Sequence, residues 1–288
     1  MSGEPCFFIA PVHSVPMVTT LSGLAAEFFP PETAKFKRPL LLVHGPWTGS
    51  WCWREWATHF ANLGWECWAI NWPGRQDSGS AQELAALTFD RCVEDVRRAI
   101  RTLSSPVVLA HSFGGLIALK AAYQEPFSAL IFLSGPLTLR AADSKALRSF
   151  RLKYSPLIFL RRPFLLQEKD LLSFWLSSVP QSQQRSIIST MVPESAVLIR
   201  DLLLGSPERK DPPLSSPTLL VGGLEDALIP IRALRERAME LGAERLEYPN
   251  HGHWLVGEDN GEHIVRDIHR WVIRKLGQEI LLAEFPKP

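Results

Sequence analysis

The segment Pro106-Val107-Val108-Leu109-Ala110-His111-Ser112-Phe113-Gly114-Gly115-Leu116-Ile117-Ala118-Leu119-Lys120-Ala121-Ala122 reads as a buried strand, a sharp turn and a helix. Small residues stand two places before and two places after the serine, at Ala110 and Gly114. They let the chain turn tightly, push the Ser112 hydroxyl out of the sheet and aim a helix N-terminus at any negative charge that develops beside it. Ala110 takes the place of the commoner Gly and adds one methyl group. Small-x-Ser-x-small strings also arise by chance, so the reading needs partners elsewhere in the chain.

Outward from this turn, strand-length apolar runs alternate with amphipathic helical stretches. Strands are expected at 39–43, 66–71, 107–110, 129–133, 218–221 and 245–248, with helices at 53–63, 89–103, 116–122, 231–241 and 261–276. This alternation implies an α/β fold: a mostly parallel twisted sheet with helices on both faces and right-handed crossovers. The stretch from Phe7 to Phe29 holds candidate antiparallel edge strands. The rhythm stops between Leu137 and Pro213, where the pattern is helical, rich in Leu, Arg and Ser and punctuated by Pro156, Pro163, Pro180 and Pro193. Residues 137–213 therefore read as a helical cap inserted into a core of residues 1–136 and 214–288. Such an insertion either buries a small core of its own or walls an apolar pocket, and its place after a core strand's C-terminal end favours the second.

The chain has 288 residues, 46% of them hydrophobic and 21% charged, as in ordinary globular proteins. A formal net charge of +1 gives no electrostatic ground for binding nucleic acid or an anionic membrane surface. No apolar run reaches membrane-spanning length. The start, Met1 to Cys6, lacks a basic region followed by an apolar one, so no secretory signal is expected and the cytoplasm is the expected compartment. Cys6, Cys52, Cys67 and Cys92 show no metal-ligand spacing and read as buried free thiols. Seven Trp crowd positions 47–72, most of them expected in the core, with Trp47 facing a pocket.

A nucleophilic serine needs a base and a carboxylate that orients the base. The strand at 218–221 runs into Gly222-Gly223-Leu224-Glu225-Asp226, and the strand at 245–248 runs into Pro249-Asn250-His251-Gly252-His253-Trp254. Asp226, with Glu225 as its rival, and His253, with His251 as its rival, then lie beyond strand ends on the same edge as Ser112. A lone Asp there is as often a turn residue or a helix cap, and a lone His is usually structural. The joint order Ser, Asp, His, each past a strand end, favours chemistry.

At this point the chain resembles the α/β-hydrolase superfamily, on Leu41-Leu42-Val43-His44-Gly45, Ala110 to Gly115, Gly223 to Pro230 and Gly252-His253-Trp254. The segment His44 to Trp53 is similar to a branch of capped esterases, lactonases and hydroxynitrile-lyase relatives. The resemblance implies Ser112 as nucleophile, His253 as general base and acid, Asp226 as orienting carboxylate, and the Phe113 N–H in an oxyanion hole. It also implies a second donor at the residue after His-Gly. That residue is Pro46, which has no N–H. The Trp47 N–H, or a side chain such as the Thr48 hydroxyl, is the expected substitute; the alternatives are a weakened hole acting on an activated substrate, and chemistry that avoids a full oxyanion. Losing one such donor typically costs ~3 kcal/mol of transition-state stabilisation.

The pocket is expected to be lined by Pro46, Trp47, Phe113, Trp175 and Trp254 and to take an apolar or aromatic acyl group. The reading is a serine hydrolase of small esters, thioesters or lactones that needs no metal or organic cofactor. Its rivals are C–C bond hydrolysis or lyase chemistry on the same triad, and a non-catalytic ligand receptor. The expected partner is a small-molecule substrate, with self-association left open.

Overall fold

A computed structural model describes residues 16–75, 78–136, 144–204, 214–257 and 261–282. Eight strands form one sheet: β1 (Met17–Leu21), β2 (Leu24–Phe29), β3 (Leu40–Val43), β4 (Cys67–Asn71), β5 (Val107–His111), β6 (Ala129–Leu133), β7 (Thr218–Gly223) and β8 (Glu244–Tyr248). Their order is β1-β2-β4-β3-β5-β6-β7-β8. From β4 to β8 every neighbouring pair is parallel, while β1 and β2 add an antiparallel hairpin at one edge. The hairpin turns through Ser22 and Gly23, both at positive φ. Candidate edge strands at 7–15 lie outside the described residues.

The central strands β3, β5 and β6 are buried along their whole length. Helices cover both faces, so both sides of each strand must be apolar and the runs are continuous rather than alternating. Helices α1 (Arg54–Asn62), α2 (Ala81–Ala86), α3 (Phe89–Thr102) and α4 (Gly114–Ala122) precede the insertion. In α3 the buried residues Cys92, Val93, Val96, Ala99 and Ile100 recur at helical spacing, and Thr88 caps its first turn. Helix α2 was not expected, although Ser80 and Glu83 form a full capping box at its start.

The described part of the insertion is helical: α5 (Lys145–Phe159), a single turn α6 (Glu168–Asp170), α7 (Gln181–Thr190) and α8 (Ala196–Leu204). Pro156 does not break the chain as expected but sits inside α5. Its ring and missing N–H are tolerated because this side of the helix is exposed and water can satisfy the freed carbonyl. The fold closes with α9 (Ile231–Leu241) and α10 (Gly261–Leu276). Cys52, Cys67 and Cys92 are free and buried.

The turn after β5 forces the closest approach in the core. A Cβ on Gly114 would lie 2.3 Å from the carbonyl oxygen of His44 and 2.8 Å from that of Val43. Only hydrogen fits where α4 begins beneath the end of β3. Ala110, by contrast, carries its methyl group fully buried in the core. Alanine usually stabilises a helical position relative to glycine by ~1 kcal/mol. Gly114→Ala is predicted to do the opposite and cost ~1–3 kcal/mol through overpacking. Urea denaturation measures this, and equal or greater stability in the variant would refute the close-approach argument.

Candidate active site

Because the strands are parallel, the loops after β3, β5, β6, β7 and β8 all emerge at one edge of the sheet. The loop after β5 places Ser112 at φ +53, in the left-handed region that non-glycine residues seldom occupy. Two backbone hydrogen bonds hold it there: Ser112 N donates to Leu133 O at 2.7 Å, and Gly115 N donates to Ser112 O at 3.0 Å.

Ser112, His253 and Asp226 meet in one hydrogen-bonded chain. The Ser112 hydroxyl lies 2.9 Å from His253 Nε2, and His253 Nδ1 lies 2.9 Å from Asp226 Oδ2. Ser112 donating to His253, and His253 donating to Asp226, satisfies all three groups. The other Asp226 oxygen accepts the backbone N–H groups of Leu228 and Ile229, each at 2.8 Å. Asp226 is thus a turn residue and a histidine partner at once. Glu225 is exposed, and the His251 ring stacks near Tyr248 and His263, so neither rival enters this chain.

The backbone carbonyl of His253 is clamped as well. It accepts His111 Nε2–H at 2.9 Å and the Ser134 hydroxyl at 3.1 Å. Burial, reinforced by the neighbouring His253, lowers the His111 pKa to about 3, so the ring is neutral and its single N–H serves this bond. Ser134 was not foreseen, although the rule that found the others would have reached it, since it directly follows β6.

The loop after β3 departs from expectation. Trp47 has φ +60, and its N–H donates to Glu194 Oε2 at 3.2 Å, not toward Ser112. The Thr48 hydroxyl donates to Gly45 O at 2.8 Å. Both substitutes for the donor missing at Pro46 are therefore engaged by the protein. Glu194 lies in the insertion and forms a fully buried ion pair with Arg75, which also donates to the carbonyls of Thr48 and Pro73. Further bonds join the Trp47 indole N–H to Phe164 O and the Trp47 carbonyl to Val192 N.

A cavity opens beside Ser112 and His253. The core lines it with Pro46, Trp47, Phe113 and Ser134. The insertion contributes Trp175, Phe150, Ile199 and Leu202. Leu228 and Ile229 complete an almost wholly apolar wall. Trp254 is a correction: it lies beneath the site, 1% exposed, packed against Trp51 and His111. Its place next to His253 in sequence suggested a pocket role, but the backbone turns its ring into the core.

The general model of the alpha/beta hydrolase family matches residues 40–264. The chain belongs to that family. It is an enzyme of the hydrolase class. A comparison with curated proteins finds no match. Among solved structures, a putative lipase from Acinetobacter baumannii shares 17% identity at a TM-score of 0.69, with 90% of this chain and 91% of the other covered. A monoacylglycerol lipase from Paleococcus ferrophilus shares 23% at 0.66, covering 84% and 98%. A soluble variant of the monoglyceride lipase of Saccharomyces cerevisiae shares 14% at 0.70, covering 95% and 99%. These likenesses carry the fold.

Two stability predictions follow from the buried polar groups. Glu194→Ala or Arg75→Met alone leaves a buried charge unpaired and is expected to cost ~3–5 kcal/mol. The double variant is expected to cost less than the sum of the two, and a double-mutant cycle in urea measures the coupling. Additive effects would show that the pair is not a unit. The second concerns acid. The His111 pKa falls from 6.5 unfolded to about 3 folded, so between those values only the unfolded chain takes up this proton. Stability is then lost as pH falls below 6.5, by ~1.4 kcal/mol per pH unit from this group. His111→Gln is expected to flatten the pH dependence of unfolding by that amount, and an unchanged slope would contradict the assignment.

Proposed function

We propose that this hydrolase cleaves small esters, thioesters or lactones with an apolar or aromatic acyl group, using Ser112 as nucleophile, His253 as general base and acid, and Asp226 as the orienting carboxylate. The observation that carries this reading is the unbroken Ser112–His253–Asp226 chain opening on an apolar cavity. Ser112 Oγ attacks the carbonyl carbon as its proton passes to His253 Nε2. Imidazolium then forms beside the Asp226 carboxylate, which keeps its Nδ1–H in place. His253 returns the proton to the leaving group, and a water activated by the same nitrogen releases the acid from Ser112. The helical insertion acts as a cap whose side chains hold the acyl group.

The Phe113 N–H, at the start of α4, is the donor for the developing oxyanion. With the Trp47 N–H and the Thr48 hydroxyl committed elsewhere, the hole works with one backbone donor fewer than usual. At ~3 kcal/mol per donor, this favours substrates whose leaving groups need little help and disfavours amides. The same observation favours, as a second reading, acid–base chemistry by Ser112 and His253 without an acyl-enzyme.

A panel of p-nitrophenyl esters of graded acyl length tests the proposal on the wild type, Ser112→Ala and Asp226→Asn. The wild type is expected to turn over short apolar esters and to be labelled by a fluorophosphonate. Ser112→Ala should lose kcat by about a million-fold, and Asp226→Asn by roughly 10⁴-fold. Labelling that survives Ser112→Ala would overturn the nucleophile assignment. Turnover with no Ser112 adduct in intact-protein mass spectra would favour the second reading.

A further inference from the structure

Helix α5 is apolar on two sides. Its inner side buries Leu147, Phe150, Tyr154 and Ile158, as a helix of the insertion must. Its outer side, and the turn that follows, present Leu152 at 84%, Phe159 at 86% and Leu160 at 59% exposure. Single exposed apolar residues are common, but three large ones along one helix and its C-terminal turn are not scattered. Arg148, Leu152 and Phe159 share the outer stripe by helical spacing, and Arg161 and Arg162 follow at once, both exposed.

The charge there is one-sided. Between Lys145 and Asp170 the sequence holds seven Lys or Arg and two carboxylates, with no acidic residue before Glu168. This segment carries a net +5, so with +1 on the whole chain the remainder is net −4. The near-neutral total conceals a strongly cationic segment with large exposed apolar side chains. One of the two carboxylates, Asp170, is already taken by Lys153 and Tyr154.

We propose that the outer face of α5 rests on an anionic phospholipid surface. Leu152, Phe159 and Leu160 enter the headgroup–acyl boundary, and Lys145, Arg161 and Arg162 meet lipid phosphates. The helix lies in the interface and does not cross it: no helix among the described residues is long and apolar enough to span a membrane. Charge complementarity selects the occupant, because a neutral surface would offer the exposed Arg161 and Arg162 no counter-charge. The face also connects to the site. Phe150, on the inner side of α5, lines the cavity at Ser112, and a second small cavity shares Phe150 and Trp175 with it and reaches Lys153 on the exposed side. Apolar substrates dissolved in a bilayer would then meet the enzyme on the side of its pocket wall.

Vesicle flotation tests this with Ser112→Ala protein, so that binding is read without hydrolysis and independently of the proposed reaction. The protein is expected to float with phosphatidylcholine vesicles that contain phosphatidylglycerol, and not with phosphatidylcholine alone. Each cation near such a surface is worth roughly fivefold in partitioning, so Arg161→Gln with Arg162→Gln should weaken binding ~30-fold. Phe159→Ser with Leu152→Ser should also release the protein, including at low salt. In the wild-type background these substitutions should leave the circular dichroism and the fluorophosphonate labelling unchanged, since the altered side chains point away from the site. Equal binding to both vesicle types, or unchanged binding by both variants, would overturn the proposal. So would a stable dimer in sedimentation that the Phe159→Ser, Leu152→Ser variant dissociates, because the face would then belong to a second copy of the chain.

Discussion

The buried Arg75–Glu194 pair joins the two parts of this molecule. Arg75 follows β4 in the core, while Glu194 lies between α7 and α8 in the insertion, and neither side chain reaches solvent. Removing two charges from water costs several kcal/mol for each ion, which is offset only when every remaining donor and acceptor is used. Here each nitrogen of the guanidinium and each oxygen of the carboxylate has a partner. The guanidinium also bonds the Thr48 and Pro73 carbonyls, and the carboxylate also accepts the N–H groups of Trp47 and Ser195. The pair therefore anchors the insertion to the sheet edge and sets the loop after β3 in the same stroke.

That loop carries its own strain. Proline followed by a residue at positive φ is the order of a type II turn, in which glycine usually takes the second place. This chain puts Trp47 there. Such a conformation costs on the order of 1–3 kcal/mol and persists only where surroundings over-determine it. They do so here. Glu194, Phe164 and Val192 each bond Trp47, and its ring meets Phe150, Phe164 and Trp175 edge-on. Every one of these partners comes from the insertion.

The positions of Ser112, Asp226 and His253 were legible because each follows a strand whose apolar run announces itself locally, and parallel strands bring such positions to one edge. The alternation of runs likewise made the sheet readable, down to its edges. What stayed hidden was non-local. Glu194 stands 147 residues after Trp47, and no spacing rule links them. Pro156 read as a break because its context, the exposed side of α5, is a tertiary fact. The outer apolar stripe of α5 was invisible for a related reason: a segment with apolar residues all round reads as buried, and only packing reveals which side lacks a partner.

Pro46 has a consequence for how such an enzyme would choose among substrates. When the protein supplies less of the oxyanion's stabilisation, more of it must come from the substrate's own electronics. Rates would then track leaving-group acidity steeply, in the manner of a large Brønsted coefficient, with the cavity setting only which acyl groups enter. One missing amide hydrogen would make selectivity a matter of bond polarity first and of shape second.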